Sequence, residues 1–219
     1  MSVLLLLGAA GCGGGESSNG STASAAETTE TSLSTTTTTR VVACVAGDLD
    51  PRQLAPSMIE DVPDFAREPD DVGNTGPSDL GKAILDDGAP DAERVLNETG
   101  FRAGYQRLWT NATGDELAVF VYQFCKEDGA RRYASRTPDL FADAGLPIQP
   151  VVGAHVGSGF TLASPARRAL WLWETTGTML AMVATYSDQV DDVPGLLQRA
   201  DDALAAQLER LARPDTDAI

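Results

Sequence analysis

From residue 101 onward, apolar side chains recur at every second position. FRAGYQRLWT places Phe101, Ala103, Tyr105, Arg107 and Trp109 on one face of an extended segment. LAVFVYQFCK is apolar on both faces, with Phe120, Tyr122 and Phe124 on one and Val119, Val121 and Cys125 on the other. The pattern predicts two strands, joined by a hairpin loop at NATGDE. A strand apolar on both sides belongs in the middle of a covered sheet. Further strands are predicted near 151–162, at RALWLWE (168–174) and at TMLAMVATYS (178–187), the last two turning at Thr176-Gly177.

Elsewhere the spacing lengthens to three and four. Val193, Leu197, Ala200, Leu204, Leu208 and Leu211 form one stripe, predicting an amphipathic helix that starts near Asp192 and stops before Pro214. A helix is also predicted over Glu127–Arg136, with a further turn from Pro138 to Ala144. Two short helices precede the first strand, one capped by Ser78 and running to Asp87, one capped by Asp91 and closed by Gly100. Residues 47–77 contain five prolines and predict coil, with one helical turn near Pro56–Ile59. This order predicts an α+β fold: an antiparallel sheet of about five strands with helices packed mainly on one face.

Apart from 47–77, residues 41–213 carry recurrent apolar patterning with no second linker and form a single expected globular domain, followed by a tail at 214–219. The first forty residues differ. MSVLLLLGAAGCGGG has a short apolar run, then small residues, then Cys12. Five apolar residues are far short of the roughly 20 that span a bilayer, so the run reads as a signal peptide over 1–11. Small residues before a cysteine and a glycine-rich stretch after it resemble a bacterial lipobox. That resemblance implies a lipid on Cys12 and membrane attachment through it. Ala9 stands where the lipobox usually has Leu, and a basic segment is missing before Val3, which predicts a natural start further upstream. Residues 12–40 are then the lipidated cysteine and a Ser/Thr-rich linker in which Leu33 is the single large apolar residue, too few to support a packed core.

Three cysteines are an odd number for an exported chain. With Cys12 assigned to lipid, Cys44 and Cys125 can pair in an oxidising compartment; two buried free thiols are the alternative. Net charge is −16, with 5 basic and 17 acidic residues in 1–100 against 11 and 15 in 101–219. So acidic a chain lacks the basic footprint that nucleic acids or anionic head groups require.

Candidate chemistry is sparse. GPSDLGKA (76–83) misses the P-loop pattern only at Ala83, which lacks the hydroxyl that would hold Mg²⁺, and Asp79 would face the phosphates. Gly76-Pro77-Ser78 reads instead as a turn and helix cap. His155 and Ser158 could serve a hydrolase, but V-G-S-G-F is no nucleophile elbow. A chain with one histidine cannot build the common zinc sets, and neither Asp70-Asp71 nor Asp188, Asp191 and Asp192 has calcium-loop order. No cofactor is expected. The aromatic residues offer more: Trp171 and Trp173 share one face of a strand, Tyr105 and Trp109 share another, and with Phe120 they could line a groove for an apolar or carbohydrate ligand. Core packing is the competing explanation.

IEDVPDFAREPDDVGNTGPSDLGKA, together with GFRAGYQRLW and LAVFVYQFCKEDGARRYA, resembles uncharacterised lipoproteins of high-GC Gram-positive bacteria; 14 Arg against 2 Lys suits such a genome. More loosely, the chain is similar to extracellular sensor domains of mycobacterial serine/threonine kinases. These resemblances imply a lipid-anchored domain on the extracytoplasmic face of the cell membrane that binds a ligand, an envelope protein or the cell wall. A carrier of an apolar molecule and a hydrolase using His155 are the alternatives.

Overall fold

The computed structural model describes residues 44–72, 74–143, 148–150, 158–163, 168–189 and 191–213. A 3-10 helix, Pro51–Ser57, comes first, followed by strands β1 (Phe65–Arg67) and β2 (Gly76–Ser78). Helices α1 (Leu80–Asp87) and α2 (Ala92–Thr99) lead into the long hairpin β3 (Phe101–Asn111) and β4 (Glu116–Phe124). Then come α3 (Glu127–Asp143), β5 (Ile148–Pro150), β6 (Ser158–Ala163), β7 (Arg168–Thr176), β8 (Met179–Ser187) and α4 (Val193–Ala212).

The described strands form one antiparallel sheet in the order β1-β3-β4-β8-β7-β6-β5, with β2 pairing β3 beside β1. The expected α+β class and antiparallel sheet are therefore present. Four of the predicted strands correspond to β3, β4, β7 and β8. Of the fifth, near 151–162, residues 158–162 lie in β6 and 151–157 lie outside the described residues; the additional strands are three residues each.

Three of the four α-helices, α1, α2 and α3, lie on one face as expected, and α4 with the 3-10 helix covers the other. Leu117, Val119 and Val121 of β4, Leu170 and Leu172 of β7, and Ala181 and Val183 of β8 pack with Leu196, Ala200 and Leu204 of α4 and with Leu54 and Met58 of the first segment. On the opposite face Tyr122, Phe124, Trp173, Leu180 and Met182 pack with Ala83 of α1, Leu96 of α2 and Ala130, Tyr133 and Ala134 of α3. Strands apolar on both sides leave no alternative, since a bare face would expose a continuous apolar surface.

Local departures have local causes. Phe101 leaves the face shared by Ala103, Tyr105 and Trp109 because the β3–β4 register shifts between Phe101 and Ala103; a bulge reverses the alternation. The cap of α1 is Asp79, whose Oδ1 accepts from Lys82 N at 2.8 Å, while Ser78 ends β2. Helix α3 runs unbroken through Pro138. In α4 the fully buried positions are Leu196, Ala200, Leu204 and Gln207, with Leu197, Leu208 and Leu211 flanking them.

Residues 47–77 are more ordered than coil. The 3-10 helix is capped by Asp50, which accepts from Arg52 N at 3.0 Å, and β1 and β2 dock side by side on the outer edge of β3. Gly76 has φ +87°, and a Cβ there would lie 2.2 Å from the Asp70 carbonyl oxygen, so only glycine lets the chain close on itself at this point.

Candidate functional site

The five aromatic residues singled out in the sequence do not converge. Phe120, Trp171 and Trp173 lie on the face covered by α1, α2 and α3; Tyr105 and Trp109 lie on the face covered by α4. The second pair are internal anchors. Trp109 is fully buried and its Nε1 donates to the Glu60 carbonyl at 3.3 Å, while Tyr105 donates its hydroxyl to Asp70 Oδ2 at 3.0 Å. Burial, with Asp70 beside it, pushes the Tyr105 hydroxyl pKa up. Both side chains hold the proline-rich segment against β3.

The same segment is gripped by Arg107, which lies in register with the core positions of β3. Its side chain is only 4% exposed. Nη1 donates to the carbonyls of Ile59 (2.8 Å) and Met58 (3.3 Å), Nη2 donates to that of Ala55 (3.3 Å), and Glu60 pairs with it at 2.9 Å. From α4, buried Gln207 accepts from Ile59 N at 3.1 Å and donates to Ser57 O at 2.7 Å, and Arg210 Nε donates to Pro56 O at 2.8 Å. An irregular segment packed on a core needs such donors, because its carbonyls have no ladder partner. The sequence carried the signal: an arginine on an apolar stripe demands a buried partner.

On the opposite face, Phe120 and Trp171 stack with centroids 5.5 Å apart and planes 21° from parallel, and Tyr186 meets Trp171 edge-on at 6.3 Å. All three are partly exposed, whereas Trp173 is 6% exposed and belongs to the interior. The half-open trio is the aromatic surface best suited to contact another molecule. Toward α3 the face closes with Tyr122, Phe124 and Tyr133 around Phe101.

The polar side chains nearby are engaged with one another. Asp87 accepts from Tyr133 (3.0 Å), Arg136 (3.1 Å) and Ala89 N (3.2 Å); burial pushes its carboxyl up, against the pull of Arg136 and Tyr133. Arg136 also binds Asp91 at 2.7 Å, and that hydrogen bond lowers the Asp91 pKa. Lys82, the lysine of the near-P-loop, donates to Asp86 (2.7 Å) and Gln106 (2.9 Å) from the first turn of α1. Gly76-Pro77-Ser78 is a strand hydrogen-bonded to β3, not the turn expected, so it offers no open loop to a phosphate.

Two shallow concavities flank α4. One of about 580 Å³ is bounded by Asp188, Gln189, Asp191 and Asp192. The other, of about 370 Å³, lies between Met58–Asp61 and the last turns of α4 at Ala206, Glu209, Arg210 and Arg213. Among the described residues no group of three or more His, Cys, Asp or Glu side chains could hold a metal ion, and no helix is long and apolar enough to cross a membrane. Cys12 and His155 lie outside the described residues, and Ser158 opens β6 opposite Trp173. Cys44 and Cys125 form a disulfide with Cα atoms 5.7 Å apart.

With this fold and these surfaces in view, the chain falls in the α+β class. It belongs to the family described as "Domain of unknown function (DUF7373) N-terminal", whose model matches residues 61–215. Among solved structures, the extracellular domain of PknH from Mycobacterium tuberculosis aligns over 73% of this chain and 98% of its own, at 11% identity and a TM-score of 0.38. No curated protein matches the chain.

Proposed function

We propose that this is an extracytoplasmic domain, held at the cell envelope by a lipid on Cys12, that binds a partner or ligand and does not transform it. The Cys44–Cys125 disulfide carries the reading. Such bridges form and persist in oxidising compartments and are rare where glutathione keeps thiols reduced. Pairing these two cysteines leaves Cys12, in its lipobox-like setting, as the odd one for acylation. The binding role draws support from where the polar groups go: Arg107, Asp87, Asp91, Arg136 and Lys82 are committed to internal partners that hold the fold. The surface offered outward is the Phe120–Trp171–Tyr186 trio, which also favours the second reading, carriage of an apolar molecule.

The test is mass spectrometry of the protein taken from the membrane fraction of its own host. The expected Cys12 peptide carries a diacylglyceryl mass, the Cys44 and Cys125 peptides are linked, and Cys12→Ser releases the protein from the membrane. Reduced cysteines on an unacylated, cytosolic chain would overturn the reading. Native spectra of the same sample separate the two versions: a reproducible extra mass lost on denaturation marks a carrier, and a bare chain marks an interaction module.

A further inference from the structure

The disulfide joins places far apart along the chain. Cys44 is exposed, and Cys125 directly follows β4, which lies between β3 and β8 in the sheet. The bridge closes a sequence separation of 81 residues holding the 3-10 helix, β1, β2, α1, α2, β3 and β4. From this path we infer that the bridge is a mechanical shield. A pull arriving from the N-terminal side of Cys44 crosses the S–S bond into Cys125 and the middle of the sheet, and residues 45–78 are not loaded.

Without the bridge, the same pull would meet weak attachments one after another. The first are a hydrogen bond from Gly47 N to Phe101 O (2.8 Å) and the Asp48–Arg102 ion pair (2.6 Å), whose side chains are both 27% exposed. Then come Leu49 and the 3-10 helix, held by Gln207, Arg210 and Arg107. Contacts peeled one after another each carry the load alone, and the first of them, a partly exposed ion pair and single hydrogen bonds, are weak. With the bridge, the pull reaches a residue secured on two sides. Cys125 N donates to Gly100 O at 2.8 Å, Phe124 N donates to Thr178 O at 2.9 Å, and β4 is hydrogen-bonded along its length to β3 and β8. Gly100, in the left-handed region at φ +72°, allows this seating: a Cβ there would press to 3.0 Å on the Cys125 Cβ.

The direction of the pull rests on the reading of an N-terminal anchor; the shielding does not. Single-molecule stretching of the full chain by handles at its two ends, before and after a phosphine reductant, tests it. The reduced chain is expected to give an early low-force step releasing residues 45–78, roughly 120 Å at about 3.6 Å per residue, and the oxidised chain is expected to lack it. Total extensions differing by roughly 290 Å for the 81-residue separation identify the redox form in each trace, and release of α4 is common to both. A reduced chain that loses 45–78 only together with the sheet, at the oxidised rupture force, overturns the proposal. Cys44→Ser with Cys125→Ser should reproduce the reduced trace, and if that pair does not fold, wild-type chain reduced after folding still decides. Failure of Cys12 acylation with the stretching result intact would remove the anchor and leave the shield.

Discussion

The two faces of the sheet share their long strands but are closed by different means. On one, α4 and a proline-rich segment lie over Leu117, Val119, Leu172 and Val183, and the irregular part is fastened by buried donors from Arg107, Gln207, Tyr105 and Trp109. On the other, three helices satisfy their own backbones and cover the sheet mainly with apolar and aromatic contacts, supplemented by side-chain pairs such as Lys82–Gln106 and Tyr133–Asp87, and leave Phe120, Trp171 and Tyr186 half-buried against the cluster. A regular cover needs few specific partners and can end anywhere. An irregular one needs donors from side chains, here supplied to the carbonyls of residues 55–60. One face is thus held by buried polar contacts to an irregular segment, and the other has three half-buried aromatic rings packed at its cluster.

Substitutions can break this contrast. Arg107→Met should cost about 3–5 kcal/mol, because the carbonyls of Ile59, Met58 and Ala55 lose their donor inside the protein. Urea unfolding should show a lower midpoint at an unchanged slope; a loss under about 1 kcal/mol would mean water reaches these carbonyls. Trp109→Ala belongs to the same range, about 3–5 kcal/mol for an aromatic lost from a core. Trp171→Ala, its counterpart on the half-open face, should cost only about 1–2 kcal/mol for the area it buries, while removing any ligand mass seen in native spectra. Equal losses at the two tryptophans would erase the distinction between the faces. Gln207→Leu leaves Ile59 N and Ser57 O unpaired and should cost about 1–3 kcal/mol.

The smallest effect concerns pH. Burial raises the Asp87 pKa in the folded chain, so its contribution to stability is complete below the unfolded value of about 4 and declines as pH rises through the folded value. Asp87→Asn removes that decline. Melting curves should show the variant gaining on wild type as pH rises above about 4. A constant gap would mean that Arg136 keeps the carboxyl charged throughout.

Period-two alternation made β3, β4, β7 and β8 legible, and the three-four stripe did the same for α4. What escaped was set by partners distant in the chain. Strands β1 and β2 are three residues long and exist because β3 offers an open edge, which no local pattern records. The bulge after Phe101 is silent in composition yet moves that ring to the other face. Of the proposed aromatic site, the ring types were legible, but their division between faces required the register of the whole sheet. Arg107 was visible on its stripe; its meaning depended on carbonyls some fifty positions earlier.

The two short strands on β3 also bear on how copies of the chain behave side by side. An eleven-residue strand with an open edge is a template for pairing with a neighbouring chain, and high local concentration raises that hazard. Here the edge is divided between β1 and β2, and Pro77 in β2 has no N–H to offer a newcomer. The segment that helps cover one face therefore also acts as an aggregation guard, and its loss should appear first as clumping of the protein.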